Sequence, residues 1–310
     1  MESGLLINFL VFTVSLAVLI KGSDWFVDSA EKIGLSLGIN SFVIGVTIVA
    51  MGTSLPELAS SIAAVNSGES EIVIGNVVGS NVTNILLVLG IVALIGNVVP
   101  LEYNIMDVDM PLLMGSAIFI YFAVEDHTFS KFEALIFLAA LIGFIINSVK
   151  ADKFEPDEEV NAGIRDYLML IVGGVLVYMG SVYTVDGLQG ISGNLGIGSE
   201  VLAFTVLALG TSLPEVVVSV TAARKGKAGM AIGNVLGSNI FNSYAVLGIP
   251  ALFTALDIPA STNTFAVPFM IAVTLLFALI CISGRVNRYE GLVLLLLYVF
   301  FIYKMSTNII

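Results

Sequence analysis

The stretch Gly52-Thr53-Ser54-Leu55-Pro56-Glu57 decides how this chain is read, because it occurs twice. Gly210-Thr211-Ser212-Leu213-Pro214-Glu215 repeats it letter for letter, 158 positions later, and each copy lies inside a long apolar run. Proline lacks the N–H a helix needs and clashes with the carbonyl four residues back, so each copy interrupts its helix. Carbonyls near Gly52 and Thr53, and near Gly210 and Thr211, then need a partner other than a backbone N–H. Two hydroxyls and one carboxylate adjoin them in each copy. All of these groups are oxygen, and hard cations such as Na⁺ and Ca²⁺ are bound by oxygen. The motif reads as a cation site built at a break in a membrane helix.

Composition agrees with a membrane setting. Of the 310 residues, 57% are hydrophobic and only 12% charged, with a mean hydropathy of +1.02. A soluble domain carries about a quarter charged residues. Apolar stretches of the roughly 20 residues needed to cross a bilayer recur from end to end. The chain is therefore expected to be polytopic, with lipid as its surroundings and no nucleic acid as a partner. The net charge of −12 resides mostly in loops. Cys281, the one cysteine, excludes an intramolecular disulfide and reads as a small core filler. His127 lies in the polar turn Glu125-Asp126-His127-Thr128 and reads as a loop residue, since imidazole metal sites come in groups. Met1-Glu2-Ser3-Gly4 offers no basic region or cleavage site, so no signal peptide is expected.

Ten spans can be placed. The first runs from about residue 5 to 26, the second from 41 to 64 with the first motif, and the third from 72 to 98. The fourth and fifth lie near 110–124 and 133–149. A polar segment, 150–165, carries Asp152, Glu155, Asp157, Glu158 and Glu159 and reads as a solvated linker rather than a regulatory ion site. Spans six to ten then retrace one to five. Asp28 aligns with Asp186, Ile74-Gly75-Asn76-Val77 with Ile232-Gly233-Asn234-Val235, and Gly79-Ser80-Asn81 with Gly237-Ser238-Asn239, always 158 apart. An apolar sequence does not hold such a register by chance, so the chain is an internal duplication.

Five spans per half is an odd number, so the second half enters the membrane upside down relative to the first. Lys and Arg accumulate on cytoplasmic loops. With both termini outside, ten of the twelve basic residues fall inside, and only Lys131 and Lys304 fall outside. The expected fold is an all-α polytopic membrane protein of ten transmembrane helices. It comprises two inverted-topology five-helix repeats, 1–150 and 166–310, with broken second and seventh helices and a cytoplasmic linker, 151–165. Such repeats place a substrate site near the midplane, where the broken helices meet.

Among the 24 acidic residues, Glu57 and Glu215 alone lie deep inside spans. A buried unpaired carboxylate costs several kcal/mol or is neutralised, and no Lys or Arg lies inside a neighbouring span. A bound cation is the natural partner, and a pair of protonated glutamates packed by hydrogen bonds is the alternative. Asn76, Ser80 and Asn84 share one helical face, as do Asn234, Ser238 and Asn242. The small-xxx-small pairs Gly75/Gly79 and Gly233/Gly237 allow close backbone approach. Ser80, Ser238, Asn84 and Asn242 read as ligands. Asn76, Asn81, Asn234 and Asn239 read as interhelical hydrogen-bonding residues, and Asp28 and Asp186 as helix N-caps.

These residues also carry a family resemblance. The paired Gly-Thr-Ser-Leu-Pro-Glu motifs, with the Gly-Asn-x-x-Gly-Ser-Asn segments, resemble the two α-repeats of the Ca²⁺/cation antiporter superfamily, and within it the prokaryotic Na⁺/Ca²⁺ exchangers. The resemblance implies four clustered cation positions that take one Ca²⁺ or several Na⁺ in turn. Glu57, Glu215 and the Thr53 and Thr211 carbonyls would hold Ca²⁺. Sodium would also use the Ala50 and Ala208 carbonyls, the hydroxyls of Thr53, Thr211, Ser54 and Ser212, and Ser80 and Ser238. Some prokaryotic members have Asp where Asn242 stands, so this chain brings two formal charges to the centre rather than three. H⁺-coupled relatives typically show Gly-Asn-x-x-Glu in place of the hexapeptide, which favours sodium.

The leading function is thus a plasma-membrane antiporter exchanging Na⁺ for Ca²⁺ by alternating access. It would be electrogenic at three Na⁺ per Ca²⁺ and act as a monomer, without a cofactor beyond the transported ions. Exchange of H⁺ for Ca²⁺ is the runner-up. A cation channel is a different class, but channels build selectivity from rings around an axis, unlike an in-plane duplication. Enzyme function is not expected, because the spans hold no His, no Cys near a base and no paired Asp.

Overall fold

Pro56 and Pro214 stop their spans where the sequence places the breaks. A computed structural model describes residues 2–96, 98–100, 105, 109–150, 160–195, 210–260 and 262–307. In the second span, helix Ala50–Thr53 ends and helix Leu55–Asn66 begins, with Ser54 between them at φ −87°, ψ 4°. In the seventh, Ser212 precedes helix Leu213–Arg224 at φ −84°, ψ 6°. Proline sits in the first helical turn of each second segment, where its missing N–H costs nothing.

The other spans are Glu2–Ser36, Glu71–Gly96, Asp109–Ala123, Lys131–Lys150, Ile164–Leu195, residues 228–251, Thr262–Ile282 and Arg288–Thr307. Six helices among the described residues are long and apolar enough to cross a membrane, and Asp109–Ala123 is a shorter apolar helix. The first half of the seventh span, residues 196–209, lies outside the described residues and takes Ala208 with it.

The first span is longer than expected. It continues through Asp24, Asp28 and Glu31 to Ser36, because nothing in that acidic stretch breaks a helix. Gly38, at φ +73°, ends it, with the Ile39 N–H closing back onto the Gly34 carbonyl at 2.9 Å. Asp28 is therefore helix interior and no N-cap. Asp186 likewise lies within Ile164–Leu195. The cap of the second span is Asn40, whose side chain accepts the Val43 N–H at 2.8 Å.

The 158-residue offset reappears in the contacts. Residues Val98–Pro100 pair antiparallel with Arg285–Asn287, and Thr128–Phe129 with Leu256–Asp257. Shifting either ribbon by 158 positions yields the other with its strands exchanged, as a pseudo-two-fold axis requires. Two helix pairs approach closely. A methyl group built on Gly173, Gly180 or Gly187 would come within 2.7–2.8 Å of first-span backbone. One on Gly233 or Gly237 would strike the backbone of Phe42 or Val46 in the second span. The counterparts of Phe42 and Val46, residues 200 and 204, lie outside the described residues, so the approach expected of Gly75 and Gly79 is untested. Large apolar side chains such as Leu6, Phe132, Ile171 and Val299 are exposed on the outside, as a lipid-facing surface demands.

Candidate cation site

Each helix break docks against the opposite repeat. The Thr53 hydroxyl donates to Asn234 Oδ1 at 3.2 Å and lies 3.3 Å from Ser238 Oγ. At the related positions, the Thr211 hydroxyl donates to Asn76 Oδ1 at 3.3 Å and lies 3.4 Å from Ser80 Oγ. The asparagines are fixed from behind. Asn76 Nδ2 donates to Ser61 Oγ at 3.1 Å and to the Glu57 carbonyl at 3.2 Å, and Asn234 Nδ2 donates to Ser219 Oγ at 2.9 Å. Ser61 and Ser219 thus belong to the framework. Their 158-residue spacing in a motif-bearing helix was the signal that could have singled them out.

Both glutamates are fully buried and close enough to repel one another. The Ser54 hydroxyl donates to Glu215 Oε1 at 3.1 Å. Among the described residues, Glu215 Oε2 and both oxygens of Glu57 have no hydrogen-bond partner, and neither does Ser212 Oγ. No basic side chain in the described residues pairs with either carboxylate: the ion pairs there join Lys32, Lys225 and Lys227 to Asp166, Asp24, Asp28 and Glu31.

Asn84 and Asn242 open π-helical turns, Asn84–Val88 and Asn242–Val246. A π turn inserts a residue into a helix and re-aims the side chains around it, and such turns cluster at functional sites. The Asn242 turn packs on the Glu57 helix, and the Asn84 turn on the Glu215 helix. Asn84 Nδ2 donates to Asn239 Oδ1 at 3.2 Å, and its side-chain oxygen is buried and has no partner among the described residues. Both polar atoms of Asn242 lack one as well. Asn81 donates to Ser243 Oγ at 3.0 Å, joining the third and eighth spans.

Ten of the twelve expected ligands therefore gather around the two breaks: Thr53, Ser54, Glu57, Ser80, Asn84, Thr211, Ser212, Glu215, Ser238 and Asn242. Ala50 is buried at the same break, and its carbonyl accepts the Ser54 N–H at 3.0 Å and lies 3.3 Å from the Thr53 hydroxyl. Ala208 is not among the described residues. What the arrangement offers is a largely buried cluster of carboxylate, amide and hydroxyl oxygens, which suits a hard cation.

Comparison with known proteins gives the same answer along the whole chain. A family model described as "Sodium/calcium exchanger protein" matches residues 7–150 and 166–306. The sodium/calcium exchanger MaX1 of Methanosarcina acetivorans is 35% identical over 96% of this chain and 97% of its own. Membrane protein MJ0091 of Methanocaldococcus jannaschii is 34% identical over 93% and 94%. A solved structure of the sodium-calcium exchanger NCX_Mj, soaked with Na⁺ and Sr²⁺, superimposes with a TM-score of 0.85 at 33% identity, covering 96% of this chain and 98% of that one.

Proposed function

Since this chain belongs to the sodium/calcium exchanger family, a family of membrane transporters and not of enzymes, we propose that it exchanges Na⁺ for Ca²⁺ across the plasma membrane. One observation carries the reading: Glu57 and Glu215 are both fully buried at the paired helix breaks, and no basic side chain among the described residues pairs with either. Both carboxylates, the Thr53 and Thr211 carbonyls and the free oxygens of Asn84 and Asn242 would hold Ca²⁺. Sodium would spread over the Ala50 and Ala208 carbonyls and the hydroxyls of Thr53, Thr211, Ser54, Ser212, Ser80 and Ser238. One Ca²⁺ neutralises the two carboxylates, whereas three Na⁺ leave an excess of one positive charge. The pocket thus serves either ion set in turn and repels both together, which is what exchange requires.

In this reading, 1–150 and 166–310 are the two inverted repeats and 151–165 is a cytoplasmic linker, with both termini outside and the monomer as the working unit. The side assignments are supported by the ribbons and ion pairs, each of which joins segments expected on one side. Ribbon 98–100/285–287 and the pair Lys32–Asp166 lie inside, and ribbon 128–129/256–257 lies outside.

The test is ⁴⁵Ca²⁺ uptake into Na⁺-loaded proteoliposomes, with separate Na⁺ and pH gradients. Uptake should follow the outward Na⁺ gradient. Uptake that follows a pH gradient in Na⁺-free vesicles would replace Na⁺ by H⁺, with the glutamates as proton carriers.

A further inference from the structure

The pseudo-two-fold relates two clefts, and among the described residues one is open and the other closed. Beside the second break's hydroxyl, Thr211, lies a cleft of about 560 Å³ lined by Ser60, Val185, Asp186 and Gln189 among others. Their counterparts 158 positions away are Val218, Val27, Asp28 and Glu31, around Thr53. There Val218, Val27 and Thr53 are fully buried, while Ser60 is exposed and Val185 and Thr211 half-buried. The shut side is plugged by Phe26, against whose ring tip a methyl group on Gly52 would come within 2.6 Å. The residue at the corresponding place on the open side is Thr184, which turns away to donate to Ser15 Oγ at 3.0 Å.

A charge cluster closes the mouth of the shut side. Lys225 Nζ lies 3.1 Å from Asp24 Oδ1 and 2.7 Å from Asp28 Oδ2. Lys227 Nζ lies 2.8 Å from both Asp28 Oδ1 and Glu31 Oε2. The two lysines follow the seventh span and the three acids sit on the first, so the cluster ties one helix to another. Burial lowers the Lys225 ammonium, but its bonds to Asp28 and Asp24 outweigh that and hold it above the ordinary lysine value. In the other half the same positions hold Ser67 and Glu69, with Asp186 and Gln189 facing that side. No cation stands there to bridge.

We infer that Lys225 and Lys227 form an ionic lock with Asp24, Asp28 and Glu31. The lock holds shut the cleft beside Thr53, and its absence from the other half biases the transporter toward the state open beside Thr211. The inference rests on the exchanger reading in one respect, that both clefts open in turn. When the lock parts, Asp24, Asp28 and Glu31 are freed at the mouth of the newly opened cleft, as Asp186 is in the open one. Isolated surface ion pairs contribute little, but here each lysine bridges two acids and Lys227 is only 14% exposed.

The test uses single cysteines in a Cys281→Ala background, one at Val218 in the shut cleft and one at Ser60 in the open one. Reaction with a membrane-impermeant thiol reagent is timed from each side of oriented vesicles. Lys225→Gln with Lys227→Gln should speed labelling at position 218 roughly tenfold, the scale of several partly exposed pairs acting together, and slow labelling at position 60. Lys225→Arg with Lys227→Arg should leave both rates near their original values. Lys227→Glu alone should also speed labelling at position 218, and adding Glu31→Lys to form the swapped pair should return that rate toward its original value. Unchanged rates in the Gln double variant overturn the lock. So does an opened cleft that the swap fails to reverse, because pairing would then not be the cause. Should the double variant fail to fold, Lys227→Gln alone carries the same comparison. The labelling reads the opening of the cleft and not the identity of the ions, so a shift in rate without Na⁺-driven Ca²⁺ uptake would sink the exchanger reading and leave the lock standing.

Discussion

Ser54 donates its hydroxyl to Glu215 Oε1 at 3.1 Å, whereas among the described residues the related Ser212 hydroxyl and both oxygens of Glu57 have no partner. The two related serines thus differ in what they bond. An intramolecular hydrogen bond contributes about 0.5–1.5 kcal/mol net. Ser54→Ala should therefore lower the melting temperature more than Ser212→Ala in ion-free buffer. Equal losses in a differential melting assay would show that the asymmetry does not persist in solution.

Glu57→Gln and Glu215→Gln should each reduce Na⁺-dependent ⁴⁵Ca²⁺ uptake to the level of protein-free vesicles. Neither should unfold the protein, since an amide in place of an unpaired buried carboxylate removes a desolvated charge. Ca²⁺ should raise the melting temperature of the unsubstituted protein through ligand linkage and leave both variants unmoved. A variant that transports normally would take its glutamate out of the site.

Asn84→Ala and Asn242→Ala should do less damage, because each removes a neutral ligand that water can partly replace. Of the two, Asn84→Ala should cost more stability, since it also orphans the Asn239 oxygen that Asn84 Nδ2 occupies. Uptake and melting curves on the two variants check both orders. Loss of transport in Asn242→Ala as complete as in the glutamate variants would reverse the ranking.

Orientation can be tested with the same cysteine-free background. Cysteines at Lys227 and Arg285 should react with impermeant reagents from the cytoplasmic side only, and cysteines at Glu69 and Thr262 from the outside only. Glu69 is the better probe of its turn, because the neighbouring Ser70 is buried and bonded to Asp257 at 3.0 Å. Labelling of positions 227 and 69 from one side would break the inverted arrangement.

Exchange of three Na⁺ for one Ca²⁺ moves one net charge per cycle, worth about 2.3 kcal/mol per 100 mV. Ca²⁺ uptake driven by an outward Na⁺ gradient should then accelerate when the vesicle lumen is made positive, because one positive charge leaves it each turn. Transport indifferent to a valinomycin-clamped potential would point to two Na⁺ per Ca²⁺, which the same two carboxylates also accommodate.

The sequence alone determined the architecture and pointed to the residues that gather at the two breaks. An offset of 158 without gaps can arise only from duplication, and a proline inside an apolar run breaks a helix whatever surrounds it. Both are local or periodic facts, and a buried Glu57 follows from composition and position. What the tertiary structure decided is what lies opposite each group. Only docked breaks could show that Thr53 meets Asn234 and Ser238 of the other repeat, or that Ser54 and not Ser212 holds a glutamate. The π turns at Asn84 and Asn242 have no one-residue signature, since they relieve packing between crossing helices. Asp28 reads as a helix cap in the sequence because an acid near a span's end suits one. In the fold it is a helix-interior partner of Lys225 and Lys227, some two hundred residues away, and chain contacts at that distance are set by packing rather than by local propensity.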